Sequence, residues 1–436
     1  MGTEISLSLA GTDLAWSKNH RGMDHGPLFQ EQDRKPVRCD QIDYQQSDEE
    51  GIDTRPYEMA FATKLGDMLP RLELLGYTLA LARASYEKRV ETWREERAAM
   101  DDDGAPAAPA PLSFEEYLAL ATRYSLVELD DSFVGSNSKK AKRRFKGEKG
   151  IFARLPLAWD FDESEYSERS YFASAVDLLH PYLMLRIFAE NPTNRDADVI
   201  WQYGPLVENG WATTSEFNGD VRRTETFLVA TEGSSDAHIL QHALALRRPG
   251  ILDFFRFIDV SERHPFSGTG NLVKFAEGLA KIDVHNQTVF LFDNDAEGVE
   301  AFHKVGCLNL PPNMRAMLLP DIEAFRDFPT KGPTGEQRSD INGRGAAIEC
   351  YLDHRLHDYP PPRVVWTNYK RDADIYHGAL EHKESYAKAF LALRPGTDQI
   401  DSYDMSNVDL VLDALVAQCV SIAQTGLVER WELPAD

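Results

Sequence analysis

The chain has little cysteine: Cys39, Cys307, Cys350 and Cys419 are the only four in 436 residues, and no two form a CxxC pair. That scatter argues against a disulfide framework or a zinc site and suits a reducing cytoplasm. Long apolar runs are missing as well. None approaches the roughly 18 residues of a membrane span, and no basic-then-apolar leader opens the chain, so no membrane partner is expected. Neither HExxH nor the P-loop GxxxxGK[ST] occurs, which removes two familiar hydrolase signatures. Positive charge is in deficit: 47 Lys and Arg against 71 Asp and Glu leave a formal net charge of −24. Such a protein does not coat nucleic acid through bulk electrostatics. An enzyme that meets phosphates at one local site remains open.

What is present describes an ordinary folded chain, 42% hydrophobic and 27% charged, long enough for two or three domains. ISLSLAGTDLAWS alternates apolar and polar residues, as a half-exposed strand does. From Pro56 to about Met100 the pattern reads as helical, with Pro70 separating or kinking two helices. DDDGAPAAPAPLS, 101 to 113, reads as a linker. SFEEYLALATRYSL opens with a capping-box pattern, Ser113 and Glu116, and ERSYFASAVDLLHPYLMLRIFAE reads as a buried helix broken near Pro181. After Arg222 the texture changes. Short strands that are apolar on both faces (ETFLVATEG, FFRFIDV, TVFLFDND, MRAMLLP) alternate with helical segments, the signature of a parallel sheet covered by helices. The expected organisation is a mixed α+β N-terminal domain (1–103), a mainly helical middle (104–220), an α/β core (221–330) and a helical C-terminal extension (331–436).

Two clusters of charge stand out. SKKAKRRFKGEKG sets seven Lys or Arg against Glu148, a local charge of about +6. It reads either as a solvated linker or as a phosphate-contacting loop through Lys139, Lys140, Lys142, Arg143, Arg144 and Lys146. The second cluster is acidic. VFLFDNDAEG (289–298) drives an apolar strand into Asp293 and Asp295, which share a face in an extended chain while Asn294 points away. TEGSSD places Glu232 just past an earlier strand, with Asp236 one helical turn on. Ligands of open α/β sheets bind beyond the carboxyl ends of the strands. Four carboxylates gathered there would repel one another and raise their pKa values, and a divalent cation, Mg²⁺ or Mn²⁺, would resolve the conflict. A DxD by itself is more often a loop or a helix N-cap, and Asp236 and Glu297 suit the first turn of a helix through its dipole.

The pair TEGSSD and VFLFDNDAEG resembles the two motifs of a Toprim domain, the Rossmann-like metal-binding fold of topoisomerases, primases and many nucleases. The EGxxD form with Asp236 is similar to the nuclease branch typified by the overcoming-lysogenization-defect enzymes. The resemblance covers about 221 to 320 and implies catalytic and metal roles for Glu232, Asp236, Asp293 and Asp295. It also implies an assisting lysine downstream, for which Lys383 is the candidate; it lies with Lys388 on IYHGALEHKESYAKAFL, whose apolar and aromatic residues fall at helical spacing. MGTEISLSLAGTDLAWSKN with LFQEQDR is similar to a domain found in front of HEPN or Toprim effectors in bacterial defence genes.

Asp340 or Glu349, in SDINGRGAAIECYLD, could add a ligand, and Asp321 is comparable; each is equally compatible with an ordinary helix-start or surface acid. Arg371 and His377 have the loose spacing of the HEPN arginine–histidine motif, which recurs by chance. SGTGN, from Ser267, reads better as a helix cap than as a phosphate cradle.

The expected function is a bacterial, cytoplasmic, metal-dependent endonuclease acting as an anti-phage effector, on DNA in preference to RNA. A tRNA-cleaving toxin on the same site and a non-catalytic assembly subunit are the alternatives. Enzymes of the resembled branch carry an ATPase in the same chain and this one does not, so either the enzyme works alone or a separate ATPase or sensor partner restrains it; the helical middle and N-terminal domain suit such control, or self-association. Topoisomerase or primase activity is not expected, because no strand-passage or zinc-binding accessory module is recognisable.

Overall fold

A computed structural model describes residues 2–38, 57–100, 109–134, 138–157, 167–258, 268–282, 284–355, 360–370 and 375–432. They divide into two compact units, one of Met1–Glu73 with Tyr77–Val221 and one of Arg222–Asp436 with Leu74–Gly76.

The first unit is built on an antiparallel sheet. β1 (Glu4–Leu9) and β2 (Thr12–Lys18) form a hairpin whose turn holds Ala10 at φ 51° and Gly11 at φ 77°, the left-handed pair that a tight hairpin turn requires. β3 (Arg34–Arg38), β4 (Tyr57–Lys64) and β5 (Asp198–Gln202) complete five strands in the order β2-β1-β5-β4-β3. The central strand is therefore contributed by residues 198–202, and the boundary expected near 103 falls inside one packed unit. Helices Leu65–Leu74, Leu79–Met100, Phe114–Ala121, Glu168–Val176 and Pro181–Phe188 accompany the sheet. The capping box is present: Ser113 Oγ accepts the Glu116 N–H at 3.2 Å, and Glu116 Oε2 accepts the Ser113 N–H at 2.8 Å. The break at Pro181 is present too. One expectation is corrected and another narrowed. Tyr57–Lys64 is a strand, not the start of a helix, and of the two readings of Pro70 separation is excluded, because it lies inside the helix Leu65–Leu74.

The second unit holds a parallel sheet, in which β6 (Phe227–Ala230), β7 (Phe255–Phe257), β8 (Gln287–Phe292) and, after the two-residue β9 (Asn294–Asp295), β10 (Met314–Leu318) run in the order β10-β8-β6-β7. On one face Ala230, Phe290, Phe292 and Met314 pack with Leu272 and Ala276 of helix Thr269–Lys281 and with Ala301 and Val305 of helix Ala296–Gly306. Val289 and Leu291, one residue out of phase, turn to the other face and are buried as well. There the helix Ser406–Glu432 packs on β8, β10 and the helix Ser234–Arg247. Burial on both faces is why these strands read as continuous apolar runs.

The chain beyond residue 331 is not mainly helical. β11 (Phe328–Gly332), β12 (Gly335–Ser339), β14 (Val364–Lys370) and β15 (Ile375–Leu380) form a second four-stranded sheet, and β13 (Gly345–Ala346) pairs with β9. IYHGAL, expected to open a helix, is β15, and the helix Lys383–Leu391 starts only after it. The expectation about apolar runs is corrected by Ser406–Arg430, a helix long and apolar enough by composition to cross a membrane. In this fold Val408, Val411, Leu412, Leu415, Cys419 and Ile422 of that helix are buried.

Candidate active site

The order β10-β8-β6-β7 reverses at β6: the chain leaves it toward β7 on one side and returns to β8 on the other. Crevices form at the carboxyl ends of strands at such a switch point. Glu232, two residues past β6, reaches across it. Its Oε1 accepts the Asp293 N–H at 3.1 Å and its Oε2 accepts the Thr269 hydroxyl at 2.8 Å. The Glu232 carbonyl accepts the N–H of Gly268, which sits at φ 93°. Thr269 belongs to the SGTGN stretch, and its role as the hydrogen-bond donor to the first acid was not legible from that stretch.

Asp293 directly follows β8, and its Oδ1 accepts the Ile348 N–H at 3.1 Å. Asn294 points away, as the alternation predicts. It is buried, donates to Asp321 Oδ1 at 2.7 Å and accepts the Gly343 N–H at 2.9 Å. Asp295 is an N-cap: Oδ1 accepts the N–H groups of Glu297 and Gly298, each at 2.8 Å. Helix capping and a place at the site are thus compatible at this residue, because one oxygen caps and Oδ2 is left. Asp236, in the first turn of Ser234–Arg247, accepts the Gly233 N–H at 2.9 Å and the Ser235 hydroxyl at 3.1 Å. Glu349, in a short 3₁₀ turn after β13, is 3% exposed, and Asp236 is 6% exposed.

These acids sense one another. Burial pushes the Glu232 carboxyl up to about 7, with Asp295 and Asp236 adding repulsion against the Thr269 and Asp293 hydrogen bonds. Burial pushes Asp236 up to about 6, helped by Glu349 and opposed by Lys383. Asp293 is raised well above the usual carboxylate range by burial and by Asp236, Glu232, Asp295 and Glu349. Raising of this size by desolvation and like charge, in a crevice, is the pattern of a functional site rather than of a structural ion pair.

Lys383, the first residue of its helix, is the cation that opposes the rise at Asp236. It lines a cleft of about 590 Å³ with Ser235, Glu349, Glu384 and Lys388. The cleft opens beside the acids, so both lysines on this segment face it.

Other candidates go elsewhere. Asp340 is exposed and turned into its own loop, where Oδ1 accepts the Asn342 N–H and side-chain N–H, both at 3.0 Å. Asp321 is exposed and holds Asn294. The basic stretch lies in the first unit. There Phe145 is buried and stacked on Phe172, and Arg144 pairs with Glu168 at 3.0 Å. Lys142 stands 5.4 Å from the Tyr171 ring centroid, while Lys140, Arg143 and Lys146 are exposed. The Lys139 side chain, Arg371 and Ser267 lie outside the described residues. His377 sits on β15 with Nδ1 3.7 Å from Asp295 Oδ2, a placement the sequence spacing did not reveal.

Among the described residues, no group of three His, Cys, Asp or Glu side chains is already set for a metal ion. The donor chemistry nevertheless fits a hard divalent cation. Five carboxylates, those of Glu232, Asp236, Asp293, Asp295 and Glu349, converge from three segments of chain, and a cation would offset the burial and like charge that raise Glu232, Asp236 and Asp293.

The family described as HEPN/Toprim N-terminal domain 1 matches residues 1–225. Neither a curated protein nor a solved structure matches the chain.

Proposed function

The chain belongs to the HEPN/Toprim N-terminal domain 1 family, and from that premise we propose that its second unit is a Toprim-type, metal-dependent nuclease serving bacterial anti-phage defence. The observation that carries the reading is the gathering of Glu232, Asp236, Asp293 and Glu349 at the strand switch point, with Glu232 bonded to the Asp293 backbone. A buried, uncompensated acid cluster costs stability, and a fold retains such a cost where chemistry uses it.

Glu232, Asp236, Asp293 and Asp295 would hold Mg²⁺ or Mn²⁺, with Glu349 in place of Asp340 as the further acid. When bound, the cation supplies charge stabilisation and an activated water for attack on a phosphodiester. The protein's own contributions are positional. Thr269 and the Asp293 N–H fix the Glu232 carboxylate, the Ile348 N–H fixes Asp293, and the helix cap fixes Asp295. Lys383 faces the cleft with an ammonium suited to the charge that grows on a phosphate in the transition state. DNA is the first substrate of this reading. Backbone hydrolysis uses the same carboxylates on either sugar, so RNA is the second arm of the test. An ATPase or sensor partner remains part of the proposal, as does a cytoplasmic setting.

The experiment incubates purified protein with Mg²⁺ or Mn²⁺ and, separately, plasmid DNA and total tRNA, beside the Asp293→Asn/Asp295→Asn variant. Cleavage abolished by EDTA and by the variant establishes the nuclease and names its substrate. Cleavage that survives the variant sinks the assignment of these residues.

A further inference from the structure

We propose that His377 is a nitrogen ligand of the cation shared with Asp295, which makes the site one of mixed oxygen and nitrogen donors; the inference rests on the metal reading above. Asp295 spends Oδ1 on the two N–H groups of its helix cap, so Oδ2 is the oxygen free for a ligand. Facing that oxygen is His377 Nδ1, 3.7 Å away, with the two side chains only 16% and 13% exposed. This ring nitrogen is buried and has no hydrogen-bond partner.

The separation decides between two roles. At 3.7 Å the pair is too far apart for a hydrogen bond. Two atoms each roughly 2.1 Å from one cation stand about 3.0 Å apart at a right angle and about 4.2 Å apart across it. The observed distance lies between those limits. Nδ1 and Oδ2 therefore leave a gap that a shared cation can occupy and that no direct hydrogen bond closes.

The backbone keeps that gap in place. β9, carrying Asp295, pairs with β13 through Gly345, and the Gly378 N–H next to His377 donates to the Arg344 carbonyl at 3.0 Å. Gly345 and Gly378 allow this approach: a β-carbon on Gly345 would lie 3.1 Å from the Gly378 carbonyl oxygen, and one on Gly378 would lie 2.5 Å from Val364. His377 is thus tied to the DxD through main-chain contacts rather than through a mobile loop.

The chemical consequence is metal choice. Mg²⁺ keeps to oxygen donors, whereas the first-row transition ions accept imidazole, Mn²⁺ the least strongly among them. Mn²⁺ is then the tighter ligand of this site, and the imidazole is what separates it from Mg²⁺.

The test is pulsed electron paramagnetic resonance on the full chain loaded with one equivalent of Mn²⁺, beside calorimetric titration with Mn²⁺ and Mg²⁺. Directly coordinated ¹⁴N should modulate the Mn²⁺ echo in the native protein and vanish in His377→Gln and His377→Ala. Mn²⁺ affinity should fall roughly tenfold or more in both variants, with Mg²⁺ affinity little changed and thermal melting of the metal-free variants close to native. Mn²⁺ that binds, is lost in Asp293→Asn and shows no ¹⁴N coupling would overturn the role of His377 and leave the carboxylate reading standing. Mn²⁺ that does not bind, or that binds equally well in Asp293→Asn, would overturn both.

Discussion

A β-carbon on Gly298 would lie 2.0 Å from the carbonyl oxygen of Asp293 and 3.0 Å from Glu232 Oε1. The glycine of DNDAEG is therefore what lets the helix Ala296–Gly306 start directly against the end of β8. Alanine inside a helix normally stabilises by about 0.5–1 kcal/mol over glycine. Here the sign should invert, because the obstacle is main chain and cannot swing aside; overpacking of this kind costs on the order of 1–3 kcal/mol. Denaturant midpoints of Gly298→Ala and Gly278→Ala decide it. Gly278 lies in helix Thr269–Lys281 with nothing near its absent β-carbon, so its alanine variant should be neutral or stabilising.

The acid cluster sets a pH dependence of stability with a definite sign. Glu232 and Asp236 carry folded-state values of about 7 and about 6, above the 4.5 and 3.8 of the free groups. Between those limits the folded state binds more protons than the unfolded one, so the contribution is full at low pH and disappears as pH rises toward 7. Metal-free protein should lose part of its stability between about pH 4 and 7 through these groups. Added Mn²⁺ should restore stability most strongly at the upper end, where the carboxylates are ionised. Melting temperature measured across pH, with and without metal, checks both. A metal-free curve that is unchanged in Glu232→Gln would remove the cluster as the source.

Much of this site was readable in the sequence, because its strands are apolar on both faces and stop at acids. Glu232, Asp293 and the outward turn of Asn294 follow from strand ends and alternation alone. The second sheet escaped for an opposite reason. β12 is short and almost wholly exposed, GEQRS, so no buried face imposes a pattern. β15 runs almost directly into the helix Lys383–Leu391 without a proline or a glycine between them, so its apolar residues were absorbed into a helical reading. Thr269 and His377 reach the cluster through tertiary contacts far apart in sequence, and no local spacing encodes those; Glu349 stood beside Asp340 as a candidate, with nothing local to separate the two. Tyr57–Lys64 was missed likewise, since it leads into a helix with no break in between.

Asn294 separates the two acids of the DxD and holds two loops at once, through Asp321 and the Gly343 N–H. Asn294→Ala should destabilise by roughly 1–3 kcal/mol, because the amide of Gly343 loses its acceptor in a largely enclosed place. Asn294→Asp should be worse at neutral pH, since it keeps the acceptor but turns the donor to Asp321 into a second negative charge. Chemical denaturation at pH 5 and pH 8 distinguishes the causes: the aspartate variant should recover toward native at the lower pH, and the alanine variant should not.

Lys383 offers the sharpest separation between binding the cation and assisting the reaction. Its charge opposes the upward shift at Asp236, and it lines the cleft beside the acids. As a stabiliser of transition-state charge, its removal should cost on the order of 10²–10³ in kcat. As a cation close to a cation site, its removal should leave Mn²⁺ affinity at pH 8 unchanged or tighter, the reverse of what losing a ligand does. Lys388→Ala, on the same cleft, should weaken substrate binding while leaving the chemical step near native, so KM rises and kcat holds. Single-turnover rates and metal titrations on both variants decide the matter. A Lys383→Ala protein that loses Mn²⁺ and activity in parallel would make this lysine a support of the acid cluster and not a participant in the reaction.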